Sequence, residues 1–314
     1  MNARILTTAT LFTAFAGVLT ARAADSQLLS LVMPDAKVVA GVNVDQAKAS
    51  PFGLYVLTQM QSGNSGMQDL ITLTGFDPTR DVHELLAASS STLKDKTPTG
   101  LALARGNFDA TTIAAVATSK GAITEVYNGV TIIEDPKKTA GIAFLNSTIV
   151  IAGDVASVKG AIDRPSSGQS LPTAVIVQVN QWSGNSDAWV VTTVAPSVLA
   201  PASFGGNLAP VLQQLQQASA GVKFGNSVVG TIAVQTDTAA NAAQMANALQ
   251  FLVNMAQMQS QNNPQLTSLA KGLTIGATGT TVNVVISMPQ AQFQQLVQQQ
   301  KKAAIAVPHD MLKK

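Results

Sequence analysis

The sequence predicts an α+β fold made of two related halves. Each half is expected to be an antiparallel sheet with helices on one face, in the split β-α-β-β-α-β order. Three observations carry that expectation. Residues 227–288 read strand, helix, hairpin. The front of the chain repeats this order of elements in a looser form. The turns between apolar runs have hairpin chemistry. From residue 38, and again from residue 189, the order is strand, helix, hairpin, helix, paired strands, helix. Residue identities barely agree between the halves, so the repeat rests on element order alone.

Within 227–288, Val228, Gly230, Ile232 and Val234 share one face of a period-two run, which fits a strand buried mainly on one side. Asp237 is placed to cap a helix whose stripe is Ala242, Met245, Ala246, Leu249, Leu252, Val253 and Ala256. Pro264 starts a short second helix that ends near Gly272. Leu273, Ile275 and Ala277 open a strand, 278–280 turn it, and Val282, Val284, Ile286 and Met288 line the return. A last helix, 290–302, buries Phe293, Leu296 and Val297.

In the front half, 38–44 is a short apolar strand, followed by a helical region with Phe52, Tyr55, Val56 and Met60 on one side. Asp77 caps a brief helix, 85–90 is extended, and 100–105 is a strand. Phe108 and Asp109 open a helix over 110–119, with Asp109 as cap and Phe108 stapled on Ile113. Asn128-Gly129 supplies the positive φ angles of a tight hairpin between 122–127 and 130–134. A second hairpin joins 141–145 to 148–152 through Asn146-Ser147. Asp154 then caps a helix that buries Val155, Val158 and Ile162. Beyond it the expected order is a strand at 174–179, a turn at 183–186, a strand at 189–194 and a helix over 208–219.

Residues 1–23 read as a cleavable export signal. Arg4 precedes an apolar run, 9–19, and Ala21-Arg22-Ala23 has the small-x-small pattern of a signal peptidase site. The run is too short to span a bilayer comfortably. The expected divisions are therefore 1–23 signal, 24–164 first half, 165–173 a Ser/Gly/Pro-rich linker, 174–302 second half and 303–314 a polar tail. The expected location is the periplasm or the exterior, with no transmembrane segment after signal removal. With no cysteine, the mature chain carries neither disulfides nor a cysteine-linked lipid.

The formal charge of +2 overstates the mature protein. Removing Arg4 and Arg22 from the 19 basic residues leaves as many as the 17 acidic ones. Neutrality without a Lys/Arg cluster argues against nucleic-acid or anionic-membrane partners, which need concentrated positive charge. Between Asp187 and Lys301 the charged side chains are Lys223, Asp237 and Lys271; Gln, Asn, Ser and Thr supply the remaining polarity.

Several segments resemble an uncharacterised family of exported bacterial proteins found among acidobacteria and similar groups. They are MPDAKVVAGVNVDQAKASPFG at 33–53, GFDPTRDVHELLAAS at 75–89, ALARGNFD at 102–109 and GIAFLNSTIVIAGDVASVKGAIDR at 141–164. SVVGTIAVQTDTAANAAQMANAL at 227–249 through TVNVVISMP at 281–289 is similar too. These motifs are turns, caps and strand patterns. The resemblance implies the fold and the export, and no activity.

The densest ionisable cluster is Asp77, Asp81, His83 and Glu84. His and carboxylates can bind zinc, but Leu85, Leu86 and Ala87 follow, so the second His of an H-E-x-x-H pair is missing. The cluster is read instead as a capped, solvated short helix and strand start. A Ser–His–acid hydrolase needs a base, and His83 and His309 are the two histidines. The Gly-rich stretches 63–66 and 203–206 lack the spacing of a nucleophile elbow, dinucleotide or P-loop fingerprint. No catalytic residue, metal ligand set or cofactor is therefore assigned. Trp182 and Trp189 read as one core and one edge residue, or as a binding patch if exposed together.

The expected function is a non-catalytic binding or interaction protein of the periplasm or envelope, acting on an envelope protein or an apolar ligand. Two alternatives stay open. One is a hydrolase-type enzyme using Asp77, Asp81, His83, Glu84 or Arg105. The other is a carrier holding an apolar ligand between sheet and helices, which needs an enclosed apolar cavity of several hundred cubic ångströms.

Overall fold

The period-two runs pair, and they pair into one sheet. The computed structural model describes residues 24–55, 71–92, 95, 99–199, 215–259 and 271–295. Twelve strands form it: β1 (Val38–Asn43), β2 (Val82–Ser89), β3 (Gly100–Gly106), β4 (Ile123–Tyr127), β5 (Val130–Glu134), β6 (Ala140–Asn146), β7 (Ile149–Asp154), β8 (Ala188–Thr192), β9 (Leu215–Lys223), β10 (Ser227–Thr236), β11 (Leu273–Thr278) and β12 (Thr281–Pro289). Their order is β11-β12-β10-β9-β8-β1-β2-β3-β7-β6-β5-β4. Every pairing is antiparallel.

The split order expected for each half is replaced by another. Three strands meander, a helix follows, and the chain returns with a hairpin whose second strand pairs with the third strand of the meander. In front this is β1-β2-β3, helix Ala110–Ser119, then β6-β7, with β7 on β3. Behind it is β8-β9-β10, helix Ala239–Gln259, then β11-β12, with β12 on β10. The hairpin β4-β5 extends the front part. Reading outward from the central β1–β8 pair, the order is the same on both sides until β4 and β5.

Helices lie on both faces rather than one, because both faces carry apolar side chains. On one face a row of directly opposed residues, Leu86–Leu103–Ile151–Ala143–Ile132, crosses five strands, and all five are buried. Leu28 and Val32, Val158 and Ala161 of helix Val155–Ser167, and Val175 and Val179 of helix Thr173–Asn185 join these residues in one core. On the other face Ala242, Met245 and Ala246 of helix Ala239–Gln259 pack with Leu215 and Val282. Phe108, Val44, Val82 and Ala104 form a third cluster near Phe76 and Phe144.

Most local signals act as their chemistry requires. Asn128 and Gly129 adopt φ 48° and 82° in the β4–β5 turn. The Asp77, Asp109 and Asp154 carboxylates cap their helices. Phe108, expected as a staple on Ile113, meets the rings of Phe76 and Phe144. Helix Ala239–Gln259 is capped by Thr238, whose hydroxyl accepts from the Asn241 N–H, while Asp237 accepts from the Asn241 side-chain amide.

Three assignments are corrected. The expected strand 174–179 and turn 183–186 fall in helix Thr173–Asn185, where Val175, Val179 and Ser183 recur at helical spacing and are buried. Residues 215–219, expected in a helix, belong to β9; 208–214 lie outside the described residues. The expected linker starts inside a helix that continues to Ser167 and stops at Gly168, φ 67°. Pro165 falls in that last turn, and buried Arg164 donates to the Leu31 carbonyl at 2.6 Å, anchoring the turn on the core. The end of helix Ala239–Gln259 also differs from the expected stripe, with Leu252 exposed. Residues 1–23, the part of the expected front helical region beyond 55, most of 264–272 and 296–314 lie outside the described residues.

Candidate functional site

β2 starts directly after helix Pro78–Asp81, and that junction decides where the ionisable cluster goes. Asp77 accepts from the Thr79 N–H at 2.9 Å and the Thr79 hydroxyl at 2.8 Å, as the helix cap. Asp81 accepts from the Asp77 N–H at 2.8 Å and from two N–H groups of Arg80 at 2.7 Å each. His83 sets Nδ1 3.1 Å from the Asp45 carboxylate and Nε2 3.2 Å from the Asn107 amide nitrogen.

Glu84 shares the parity of buried Leu86 and so belongs to the other face, where it accepts from the Asp25 N–H at 3.0 Å. Arg105 pairs there with Asp25 at 2.7 Å and reaches the Gln27 side-chain oxygen at 3.3 Å. The predicted cluster is thus divided among a helix cap, a surface pair and the opposite face. An open groove of about 330 Å³ beside it is lined by Arg80, Asp81, Asn107, Asp109 and Ser147, without Asp77, His83 or Glu84. Among the described residues no three His, Cys, Asp or Glu side chains are grouped to hold a metal.

These carboxylates do structural work. The Arg80 guanidinium holds Asp81 below the ordinary carboxyl range. Burial pushes Asp25 up, but the Arg105 guanidinium and the Leu28 and Gln27 N–H groups outweigh it, leaving Asp25 low. Burial likewise opposes, and hydrogen bonds from Ser157 and Gly100 overcome, the shift at Asp154. A depressed folded pKa gives stability that is present above the unfolded value and lost as pH falls through the folded one. Denaturant midpoints should therefore stay level from about pH 8 to 5 and fall below about pH 4. Midpoints that instead fell between about pH 7 and 6 would contradict these assignments.

A different feature spans the molecule. On the face that carries helix Ala239–Gln259, one rung of directly opposed residues runs Ile133–Ile142–Ala152–Ala102–Ala87–Ala40–Val190–Ala220–Ile232–Val284–Ile275. It crosses eleven strands without a polar side chain. Its middle is lined by alanines, and large side chains stand at both ends. Ala87 and Ala102 are exposed, as are Ile142 (41%) and Ile232 (47%), and Leu85 in the neighbouring rung is 40% exposed.

Helices flank this surface. Helix Ala239–Gln259 covers one end through Met245 and Ala246 but leaves Phe251 (63%) and Met258 (67%) in solvent. Helix Ala110–Ser119 lies over the other end with no residue buried. Between it and the sheet is an open groove of about 340 Å³ lined by Ala114, Val130, Ile133, Phe144 and Leu145. Contiguous exposed apolar surface of this kind marks interaction or ligand-binding sites in many proteins.

Sequence reasoning missed this surface, although each member was visible as half of a period-two pattern. Neither 38–44 nor 100–105 shows by itself that Ala40, Ala87 and Ala102 align; that follows from register. No helix among the described residues is long and apolar enough to cross a membrane.

No protein-family model matches the chain, and no curated protein matches it. Solved structures of TP0453 are similar in fold. Crystal form III superposes with a TM-score of 0.55 at 10% identity, over 86% of this chain and 96% of that chain. Crystal form I gives 0.51 at 11% identity over 86% and 95%, and form IV gives 0.52 at 11% over the same shares. At such identity the likeness shows the fold alone: α+β, with a large antiparallel sheet and helices.

Proposed function

We propose that this is an exported, non-catalytic binding protein whose apolar sheet face takes an apolar ligand such as an acyl chain. The observation that carries the reading is the rung of eleven apolar residues, exposed at Ala87 and Ala102 in its alanine-lined middle. Small side chains there keep that part of the face low and leave it accessible at Ala87 and Ala102. Ile142 and Ile232 rise at its flanks. Dispersal of Asp77, Asp81, His83 and Glu84 favours this over a hydrolase-type site, because acid–base chemistry needs groups within reach of one reacting atom. The open grooves favour a surface-bound ligand over one sealed in a cavity.

Export is supported by the sequence of 1–23. We also read the chain as two related halves, residues 24–164 and 174–302. The matching order outward from β1–β8 supports this, with β1, β2 and β3 corresponding to β8, β9 and β10.

Native mass spectrometry of the protein isolated from the envelope of its own cells tests the reading. The expected spectrum contains a population carrying a bound apolar small molecule that is released by organic solvent. Ligand-free protein that also takes up no added fatty acid would overturn it.

A further inference from the structure

The face that holds the core in front becomes polar behind. Beyond β8 that face presents Gln217 and Ser219 of β9, Thr231 and Gln235 of β10, and Thr281 and Asn283 of β12. Gln217 opposes Gln235, which opposes Thr281; Ser219 opposes Ala233, which opposes Asn283. Neighbouring strands therefore set these groups in rungs with a spacing of about 4.8 Å. Helix Thr173–Asn185 walls the array on one side with Gln178, Gln181 and Trp182, which share one helical face. Floor and wall enclose a cleft of about 300 Å³ with no ionisable side chain in its lining.

Much of its hydrogen-bonding capacity is unused. The Gln178 amide donates to Gln217 at 3.1 Å. Among the described residues, the side chains of Ser219, Thr231, Gln235, Thr281 and Asn283 make no hydrogen bond, nor does the Trp182 indole N–H. Trp182 is half-buried and lies over Gly221, where an added Cβ would collide with the Ser186 side chain and come within 2.8 Å of the indole ring. A glycine on β9 thus leaves room for both Ser186 and the indole at the cleft edge.

This chemistry selects a ligand class. Amides and hydroxyls both donate and accept, and do not titrate near neutral pH. A charged ligand would lose hydration without finding a counter-charge. An apolar one would strand the unpaired amides. A neutral molecule dense in hydroxyls satisfies both donors and acceptors, and the C–H face of a pyranose ring packs on an indole. We propose that this cleft binds a neutral saccharide, with Trp182 as the stacking surface and Gln235, Thr281 and Asn283 as hydroxyl partners. The site is separate from the apolar face and does not depend on it.

The test titrates the full chain with cellotetraose, chitotetraose and maltotetraose, following tryptophan emission and heat. At least one saccharide is expected to bind saturably with a Kd of about 0.1–1 mM, a value little changed by salt. Asn283→Ala and Gln235→Ala should each weaken it about fivefold, the loss of one hydrogen bond, with unchanged Tm. Trp182→Phe should retain more affinity than Trp182→Ala. The proposal fails if no probe binds below about 10 mM, or if binding is undiminished in Asn283→Ala and Gln235→Ala. It fails equally if those two substitutions abolish self-association of the chain instead, which would assign the cleft to a second copy.

Discussion

Trp189→Ala is expected to destabilise the protein by about 3–5 kcal/mol, read from denaturant midpoints at constant m. Trp189 lies on β8 directly opposite Gly41 of β1, at the pairing that joins the two sides of the sheet. Its ring occupies the place where a side chain at 41 would stand; a Cβ there would sit 2.5 Å from the indole. The glycine and the tryptophan are therefore one packing unit, and truncating the ring empties the seam above a residue that cannot fill it. Gly41→Val should be costly for the complementary reason, since two bulky groups would compete for one volume. A loss below about 1 kcal/mol for Trp189→Ala would mean the seam collapses to close the gap.

Leu103→Ala should cost about 2–5 kcal/mol, within the range for a fully enclosed leucine. It lies in the middle of β3, buried, between Leu86 and Ile151 on flanking strands, in the core beneath the helices. Leu249→Ala is the comparison. Leu249 packs at the edge of the second cluster and is half-buried, so its loss should be smaller. Equal losses at the two positions would mean that the helix Ala239–Gln259 is more deeply enclosed than its exposure indicates.

The strands and caps were legible because their signals are local. Asn128-Gly129 demands its turn, and Asp77, Asp109 and Asp154 each satisfy N–H groups two or three residues on. Helix Thr173–Asn185 was hidden by its composition: Val175, Ile176, Val177 and Val179 are β-branched and suit a strand, while its Val175–Val179–Ser183 spacing is helical. β9 was hidden the other way. Leu215, Gln216 and Gln217 favour a helix, yet Ala218, Ala220 and Val222 alternate with Gln217, Ser219 and Gly221 at strand period. The two helical faces of the sheet were not legible at all. Helices go where the apolar side chains of paired strands align, and alignment is a property of register rather than of any one segment.

The ionisable cluster shows the same limit. Asp77, Asp81, His83 and Glu84 are neighbours in sequence, but one strand boundary and its alternation send Glu84 to the opposite face from Leu85. The candidate apolar site is the converse, since Ala40, Ala87, Ala102 and Ala152 are far apart in the chain and consecutive in space.

One titration tests the alanine-lined middle of the sheet face as the binding surface. Wild-type protein and Ala87→Glu are titrated with the fluorescent fatty acid cis-parinaric acid, and the Tm of each is recorded. Ala87 is exposed, so the substitution should leave folding nearly unchanged while placing a charge on the apolar rung. Saturable binding by the wild type, weakened at least about tenfold in Ala87→Glu at similar Tm, is the expected result. Equal affinity in both proteins would contradict the assignment of the sheet face as the binding surface.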